Sequence, residues 1–197
     1  MAMGIVHNIL FESLDNFEVT NPGSPGVSLT NGTVLLNTGS SAYTYAALAR
    51  YMQFPTELYT WDKKRTFRIL AIASIAEDPD LTAYIGFGGI GTFGKAIAFK
   101  FYPTKITGYW SDGSVITEVD LLTGLTAPWY MGMQLKIIFN PGENVKFYID
   151  DILLATVDTD LPSDIADADR IFDACVYNSL DLQHRLQFCQ LRFDQDL

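Results

Sequence analysis

Two short stretches carry the residue types best suited to gripping a small polar ring. Tyr109-Trp110-Ser111-Asp112-Gly113 puts two aromatics and a carboxylate into one turn, and Trp129-Tyr130 adds a second aromatic pair. Aromatic faces stack on the apolar faces of sugar rings, and a nearby carboxylate fixes the hydroxyls. On that chemistry Tyr109, Trp110, Asp112, Trp129 and Tyr130 are the candidate ligand-binding residues of a glycan site made by these loops. The competing reading is that Trp110 and Trp129 fill the edges of a core, since aromatics are mostly buried mass.

Other constellations offer less. Asp158, Asp160, Asp164, Asp167 and Asp169 are hard oxygen donors in one acidic segment, the ligand type that calcium takes. The segment has no glycine at the sixth loop position and no closing Glu, so it reads as a solvated acidic loop and no metal is expected. Gly86 to Gly94 holds five glycines, but no Gly-Lys-Ser/Thr ending and no helix pattern follow, which makes it a β connection and not a phosphate cradle. His7 and His184 stand far apart, with no Ser or Cys in a nucleophile motif beside either, so Ser-His-Asp hydrolysis has no support. No cofactor is expected.

The charge balance narrows the partners. Asp and Glu total 23 against 13 Lys and Arg, and a net charge of −10 opposes neutralising a polyanion. Nucleic acid and anionic membrane are therefore poor partners. From Asp150 to Leu197 there are eleven Asp and three Arg with neither Glu nor Lys, so this segment alone carries −8. No apolar run approaches the length of a membrane span, and the opening MAMGIVHNILFES lacks the basic region of a secretory signal. Cys175 and Cys189 lie in adjacent apolar runs that a turn near Asp181-Leu182 would set opposite each other. A disulfide there would be directly cross-strand and geometrically demanding, so two free thiols are expected.

The elements that must position these residues are strands. At 197 residues the chain fits a single domain, 1–197, and its 13 Phe and 10 Tyr suit pleated, half-buried surfaces. Val145 to Pro162 is the clearest unit: two apolar-rich runs hinged at Asp150-Asp151, leaving the sheet at Asp160-Leu161-Pro162. Asn31-Gly32 between Val27-Ser28-Leu29 and Val34-Leu35-Leu36 predicts another hairpin. Ser41 to Gln53 is read as strand. Thr66 to Ala76 and Leu81 to Phe87, joined at Glu77-Asp78-Pro79-Asp80, are expected to form a third hairpin, with Phe67, Ile69, Ala71 and Ala73 on one face. Lys95 to Tyr102 alternates, Ile106 to Trp110 turns at Asp112-Gly113 into Val115 to Leu121, and Thr123 to Tyr130 is expected to be a loop. Met133 to Phe139, Ile171 to Tyr177 and Arg185 to Phe193 bring the count to about a dozen strands, with turn signals every eight to twelve residues. That spacing predicts an all-β antiparallel sandwich of jelly-roll type, not βαβ units.

Leu135-Lys136-Ile137-Ile138-Phe139, the Pro141-Gly142 turn, Val145-Lys146-Phe147-Tyr148-Ile149-Asp150 with its returning strand, and Leu161-Pro162 together resemble the concanavalin A-like lectin/glucanase superfamily. The likeness extends more loosely to Phe11 to Phe17, to Asn31-Gly32 with Leu35-Leu36, and to Leu186 to Phe193. It implies a jelly roll of two large antiparallel sheets. One departure is that the hairpin turns through Asp150-Asp151 where the superfamily uses Asp-Gly or Asn-Gly, so a non-glycine residue must take a positive φ. A second is that its retaining glucanases carry Glu-x-Asp-x-Glu on one strand, because two carboxylates must flank the glycosidic bond. The nearest match is Glu118-Val119-Asp120-Leu121-Leu122, whose third carboxylate is replaced by Leu122, so no catalytic residue is assigned.

The resemblance and the missing carboxylate together imply a non-catalytic binding or structural module. The setting expected is a virion component of phage type, such as a decoration or tail protein, or a lectin-like extracellular protein. Its partner would be a glycan or a neighbouring virion protein, and a homo-oligomer is a further expectation. The alternative is a glycoside hydrolase of β-glucans using Glu118 and Asp120.

Overall fold

The computed structural model describes residues 4–9, 11–15, 17–20, 26–39, 45–51, 61–78, 82–89, 94–163, 170–180 and 182–196. The described residues form fifteen strands and no helix. The first half holds β1 (Gly4–Ile9), β2 (Glu18–Thr20), β3 (Gly26–Thr30), β4 (Thr33–Asn37), β5 (Tyr45–Tyr51), β6 (Arg65–Ile75) and β7 (Thr82–Gly88). The second holds β8 (Lys95–Phe101), β9 (Lys105–Asp112), β10 (Ile116–Thr123), β11 (Trp129–Asn140), β12 (Asn144–Ile149), β13 (Ile152–Val157), β14 (Arg170–Tyr177) and β15 (Arg185–Asp196).

They make two antiparallel sheets. One runs β13-β12-β11-β6-β15-β4-β3 with β1 also on β15, and the other runs β10-β9-β8-β7-β14-β5-β2. β15 serves three neighbours: β6 along one side, and β4 then β1 along the other. Between its two shorter partners the register shifts, and Gln190 there takes φ 55°.

Period-two alternation builds the core between the sheets. In β6, Phe67, Ile69, Ala71, Ala73 and Ile75 are buried as their spacing predicts, sharing the sheet's inner face with Leu135, Ile137, Phe139, Val145 and Phe147 of β11 and β12 within one continuous cluster. Aromatic rings link it across the interior: Phe67 stacks on Phe172 at 6.4 Å and lies 6.1 Å from Phe87, and Trp61 lies 5.7 Å from Phe87. Arg65 is drawn into this core, donating Nε to Gln195 Oε1 at 3.0 Å with its guanidinium 4.5 Å from the Trp61 ring. Burial pulls Arg65 down to about 9.

The expected tight turns are present. Asn31 and Gly32 take φ 49° and 73° between β3 and β4, and Asp150 and Asp151 take 50° and 61° between β12 and β13. Asp150 suits its place because its carboxylate accepts the Gln134 N–H at 2.8 Å while its own N–H donates to Gln134 O at 2.9 Å.

Three expectations are corrected. β6 and β7 do not pair as a hairpin; they lie in different sheets, and the chain crosses from one layer to the other between them. Trp129 and Tyr130 open β11 instead of closing a loop. β14 and β15 also lie in different sheets, so Cys175 and Cys189 are not cross-strand neighbours. Cys175 faces outward beside Tyr84, whereas Cys189 stands opposite exposed Leu70 on the other sheet. Sheets pack about 10 Å apart, which exceeds the reach of a disulfide, and both thiols are free. The strand expected over Ser41 to Gln53 is described as Tyr45–Tyr51, and its remainder lies outside the described residues.

Candidate functional site

The outward face of the seven-stranded sheet gathers the polar residues that the core excludes. Its register aligns one row across all seven strands: Glu118 opposite Tyr109, then Ala98, Gly86, Asp173, Ala49 and Glu18. The next row sets Thr107, Lys100, Tyr84 and Cys175 side by side. Although they point away from the core, Tyr84, Ala96, Ala98 and Tyr109 are buried as a small cluster of their own. Strands lie about 4.8 Å apart, which puts the backbones at Tyr109 and Asp173 roughly 14 Å from each other with only Ala98 and Gly86 between them.

The floor is bare for a packing reason. A Cβ on Gly86 would lie 2.2 Å from the carbonyl oxygen of Ile97, and one on Gly88, at φ 89°, would lie 2.2 Å from that of Lys95. The β8 backbone comes too close for any side chain there.

Glu118 anchors the β10 end of the row. Its carboxylate accepts from Lys100 Nζ at 2.8 Å, from Tyr102 Oη at 2.9 and 2.8 Å, and from Thr107 Oγ1 at 3.1 Å. Its side chain still keeps 26% of its surface exposed. Burial would lower Lys100, but the hydrogen bonds to Glu118 and Tyr102 outweigh it and hold the ammonium above its ordinary value. That ammonium also lies 5.3 Å from the Tyr84 ring and 4.6 Å from the Tyr102 ring. Tyr84 and Tyr109 meet edge to face at 5.2 Å. Burial pushes the Tyr102 and Tyr109 phenols up to about 12 and Tyr84 higher still. These phenols stay protonated and act as donors. Next along β10, Asp120 takes Lys105 Nζ at 2.6 Å.

The five residues singled out from the sequence are not brought together. Tyr109 joins the outward row, but Trp110, its neighbour in β9, faces the core at 2% exposure and tilts against Phe147. Trp129 is buried and donates its indole N–H to the carbonyls of Tyr102 and Pro103 at 3.2 and 3.0 Å. Tyr130 stands exposed on β11, in the other sheet. Asp112 accepts the N–H groups of Val115 and Ser114 at 2.7 Å each, which holds its carboxyl below the usual range and spends it on closing the β9–β10 turn. Tyr84, Lys100, Thr107 and Asp173 were missed. Alternation in KAIAFKFY does put Lys100 on the face of Ala98, but which strands flank β8 is a long-range fact.

A second polar cluster is buried at the end of the sandwich. Ser179 Oγ donates to Asp78 Oδ1 at 2.6 Å, and its N–H donates to Oδ2 at 2.8 Å. His184 Nδ1 accepts the Ala76 N–H at 3.2 Å, which leaves Nε2 to donate toward Asp78 Oδ2 at 3.4 Å. Ser, Asp and His are thus neighbours, but the carboxylate sits between the other two. A nucleophilic triad needs the imidazole in the middle, so this is a clamp between two chain crossings. Asp164, Asp167 and Asp169 of the acidic segment lie outside the described residues, while Asp158 and Asp160 are exposed. Among the described residues no group of three or more His, Cys, Asp or Glu could hold a metal ion.

Two stacked antiparallel sheets in this strand order define a concanavalin A-like jelly roll. No family model matches the chain, and no curated protein does. Solved structures do. The β-glucanase of Bacillus licheniformis superposes with a TM-score of 0.67 at 13% identity over 96% of this chain and 97% of its own. The carbohydrate recognition domain of Emp47p gives 0.66 at 10% identity over 94% and 92%. A botulinum neurotoxin type C structure, described with cell entry that depends on two ganglioside molecules, gives 0.61 at 8% identity; the match covers 90% of this chain and 42% of that one. At these identities the likeness is one of fold.

Proposed function

We propose that this chain is a non-catalytic saccharide-binding module whose site is the outward face of the seven-stranded sheet at Tyr109, Tyr84, Lys100 and Glu118. The observation that carries the reading is the aligned row: the Glu118 carboxylate, held by three donor groups, beside Tyr109 at one end, and only the small Ala98 and Gly86 between Tyr109 and Asp173. Sugar hydroxyls need pre-positioned acceptors and donors beside aromatic surface. The Emp47p domain and the toxin structure, whose descriptions name carbohydrate recognition and gangliosides, share the fold and support the choice of ligand class.

Chemistry weighs against hydrolysis and elimination. A general base works best with a pKa near the working pH, and the phenols of Tyr102 and Tyr109 stand near 12. Glycosidases place two carboxyl groups about 5 to 9.5 Å apart. Both carboxylates of the hydrolase alternative are already engaged, Glu118 by three donor groups and Asp120 by Lys105 at 2.6 Å, and Asp173 stands four strands from Glu118, roughly 19 Å between backbones.

Binding of wild type, Tyr109→Ala and Glu118→Gln to a glycan array and to soluble β-glucans tests the reading. Retention by wild type with at least tenfold weaker binding by both variants is expected, with no release of reducing sugar. Undiminished binding by a folded Tyr109→Ala protein would overturn it. Reducing-sugar release that disappears in Glu118→Gln would replace it with a hydrolase.

A further inference from the structure

A cavity of about 610 Å³ opens beside this row and belongs to none of its residues. It is lined by Glu77, Pro103, Thr104, Lys105, Leu125 and Thr126, together with Tyr102 and Ala127. Its size lies within the range of small-ligand sites, roughly 300 to 1,000 Å³.

Its walls are held in place before any ligand arrives. Tyr102 N–H donates to Lys105 O at 2.9 Å, which closes the turn between β8 and β9. Leu125 N–H donates to Thr104 O at 3.0 Å and ties the β10–β11 connection to that turn. From beneath, the Trp129 indole holds the carbonyls of Tyr102 and Pro103. Lys105 is braced by Asp120 at 2.6 Å and lies 5.5 Å from the Tyr102 ring.

Tyr102 belongs to both places: it lines the cavity and its hydroxyl donates to Glu118. A chain-like ligand that meets Glu118 on the sheet therefore needs only to pass Tyr102 to enter the cavity. The lining selects what could follow. Pro103, Leu125 and Ala127 offer apolar surface, Thr104 and Thr126 offer hydroxyls, Asp120 neutralises Lys105, and the Glu77 carboxylate on the wall disfavours an anionic ligand. Such walls suit a neutral, hydroxyl-rich ring with an apolar face.

We infer that this cavity is a second binding position for the same saccharide chain, taking the neutral sugar residue next along from the one held at Glu118. The inference rests on the reading of the outward face as a glycan site. It makes affinity depend on ligand length, because short ligands satisfy the row alone and longer ones reach past Tyr102.

The three Trp side chains give three indole N–H signals, and Trp129 reports the cavity because its indole holds two of the lining residues. Full-length protein would be titrated with unbranched β-glucan and mannan oligosaccharides of two to six residues, following the Trp129 indole and the Tyr109 backbone amide by NMR. The Tyr109 amide should shift with all ligands that bind, and the Trp129 indole only with the longer ones, accompanied by about tenfold tighter binding. Thr126 is exposed, so Thr126→Trp should fold, fill the cavity, remove the gain with length and leave the shortest ligand unaffected. A Tyr109 shift with Trp129 unmoved at every length would overturn the second position and leave the outward-face site standing. A Trp129 shift without Tyr109 would overturn both the continuity claimed here and the outward-face site. No shift of either signal with any of these oligosaccharides would overturn both readings.

Discussion

The indole N–H of Trp110 donates to the carbonyl of Thr159 at 2.9 Å, and so fastens the exit of the β12–β13 hairpin to the seven-stranded sheet. One side chain thereby fills the core against Phe147 and joins the two layers. Trp110→Ala should cost about 3 to 5 kcal/mol of unfolding free energy, the usual loss for a large buried aromatic. Trp110→Phe keeps most of the ring and loses one hydrogen bond, about 1 kcal/mol. Urea midpoints of the three proteins check this, and a Trp110→Ala loss below 1 kcal/mol would contradict the role.

Gly86→Ala tests the bare floor. Its Cβ would meet the Ile97 carbonyl at 2.2 Å, and that contact is backbone, which cannot rotate away. Overpacking of this kind costs about 1 to 3 kcal/mol. Saccharide retention should fall with stability, because separating β7 from β8 shifts Tyr84 away from Lys100 and Tyr109. A variant as stable as wild type would mean that the strands part easily.

Acid should loosen the end of the sandwich at His184. Burial lowers the folded-state pKa of this imidazole below 6.5, and Asp78 only partly restores it. Protonating Nδ1 would also take away the acceptor of the Ala76 N–H. A group with a depressed folded pKa binds protons more readily when unfolded, so its contribution is complete above about pH 6.5 and is lost as pH falls toward the folded value. Melting temperature should decline across that window in wild type and decline less in His184→Gln. Parallel curves for the two proteins would assign the decline to other groups.

At the β12–β13 turn, Asp151 takes φ 61° and pairs with Lys136 at 2.5 Å. Asp tolerates that backbone region, and a β-branched residue does not. Asp151→Val should lose about 1 to 3 kcal/mol, while Asp151→Gly should stay within about 1 kcal/mol of wild type, since relief of strain offsets a weak exposed ion pair. Thermal denaturation of both proteins decides it, and equal losses would remove backbone strain as the cause.

The readable parts of the sequence were those in which cause and effect lie within a few residues. Asn31-Gly32, Asp112-Gly113 and Asp150-Asp151 mark turns because positive φ or side-chain capping is a property of those residues themselves. Alternation likewise puts Tyr109 and Trp110 on opposite faces, but which face is covered depends on the second sheet, so the sequence leaves both a glycan site and a core-edge reading open for Trp110 and Trp129, and burial of both rings decides for the core. Glu77 to Asp80 carries the composition of a hairpin turn and nonetheless bridges two sheets, because crossing and turning use the same residues. The row from Glu118 to Asp173 needs the order β10-β9-β8-β7-β14, in which the last step joins strands far apart in the chain. No local pattern encodes that step.

β15 stands between β6 on one side and β4 and β1 on the other, with Gly4 opposite Asp196. During synthesis the first strand therefore emerges long before its neighbour exists. The larger sheet stays open between β6 and β4 until β15 has been made, and folding that waits on contacts so distant in sequence belongs to the slow, millisecond-to-second class. Until then the facing edges of β6 and β4 have no partner, so the nascent chain stays open to aggregation up to the point at which β15 emerges.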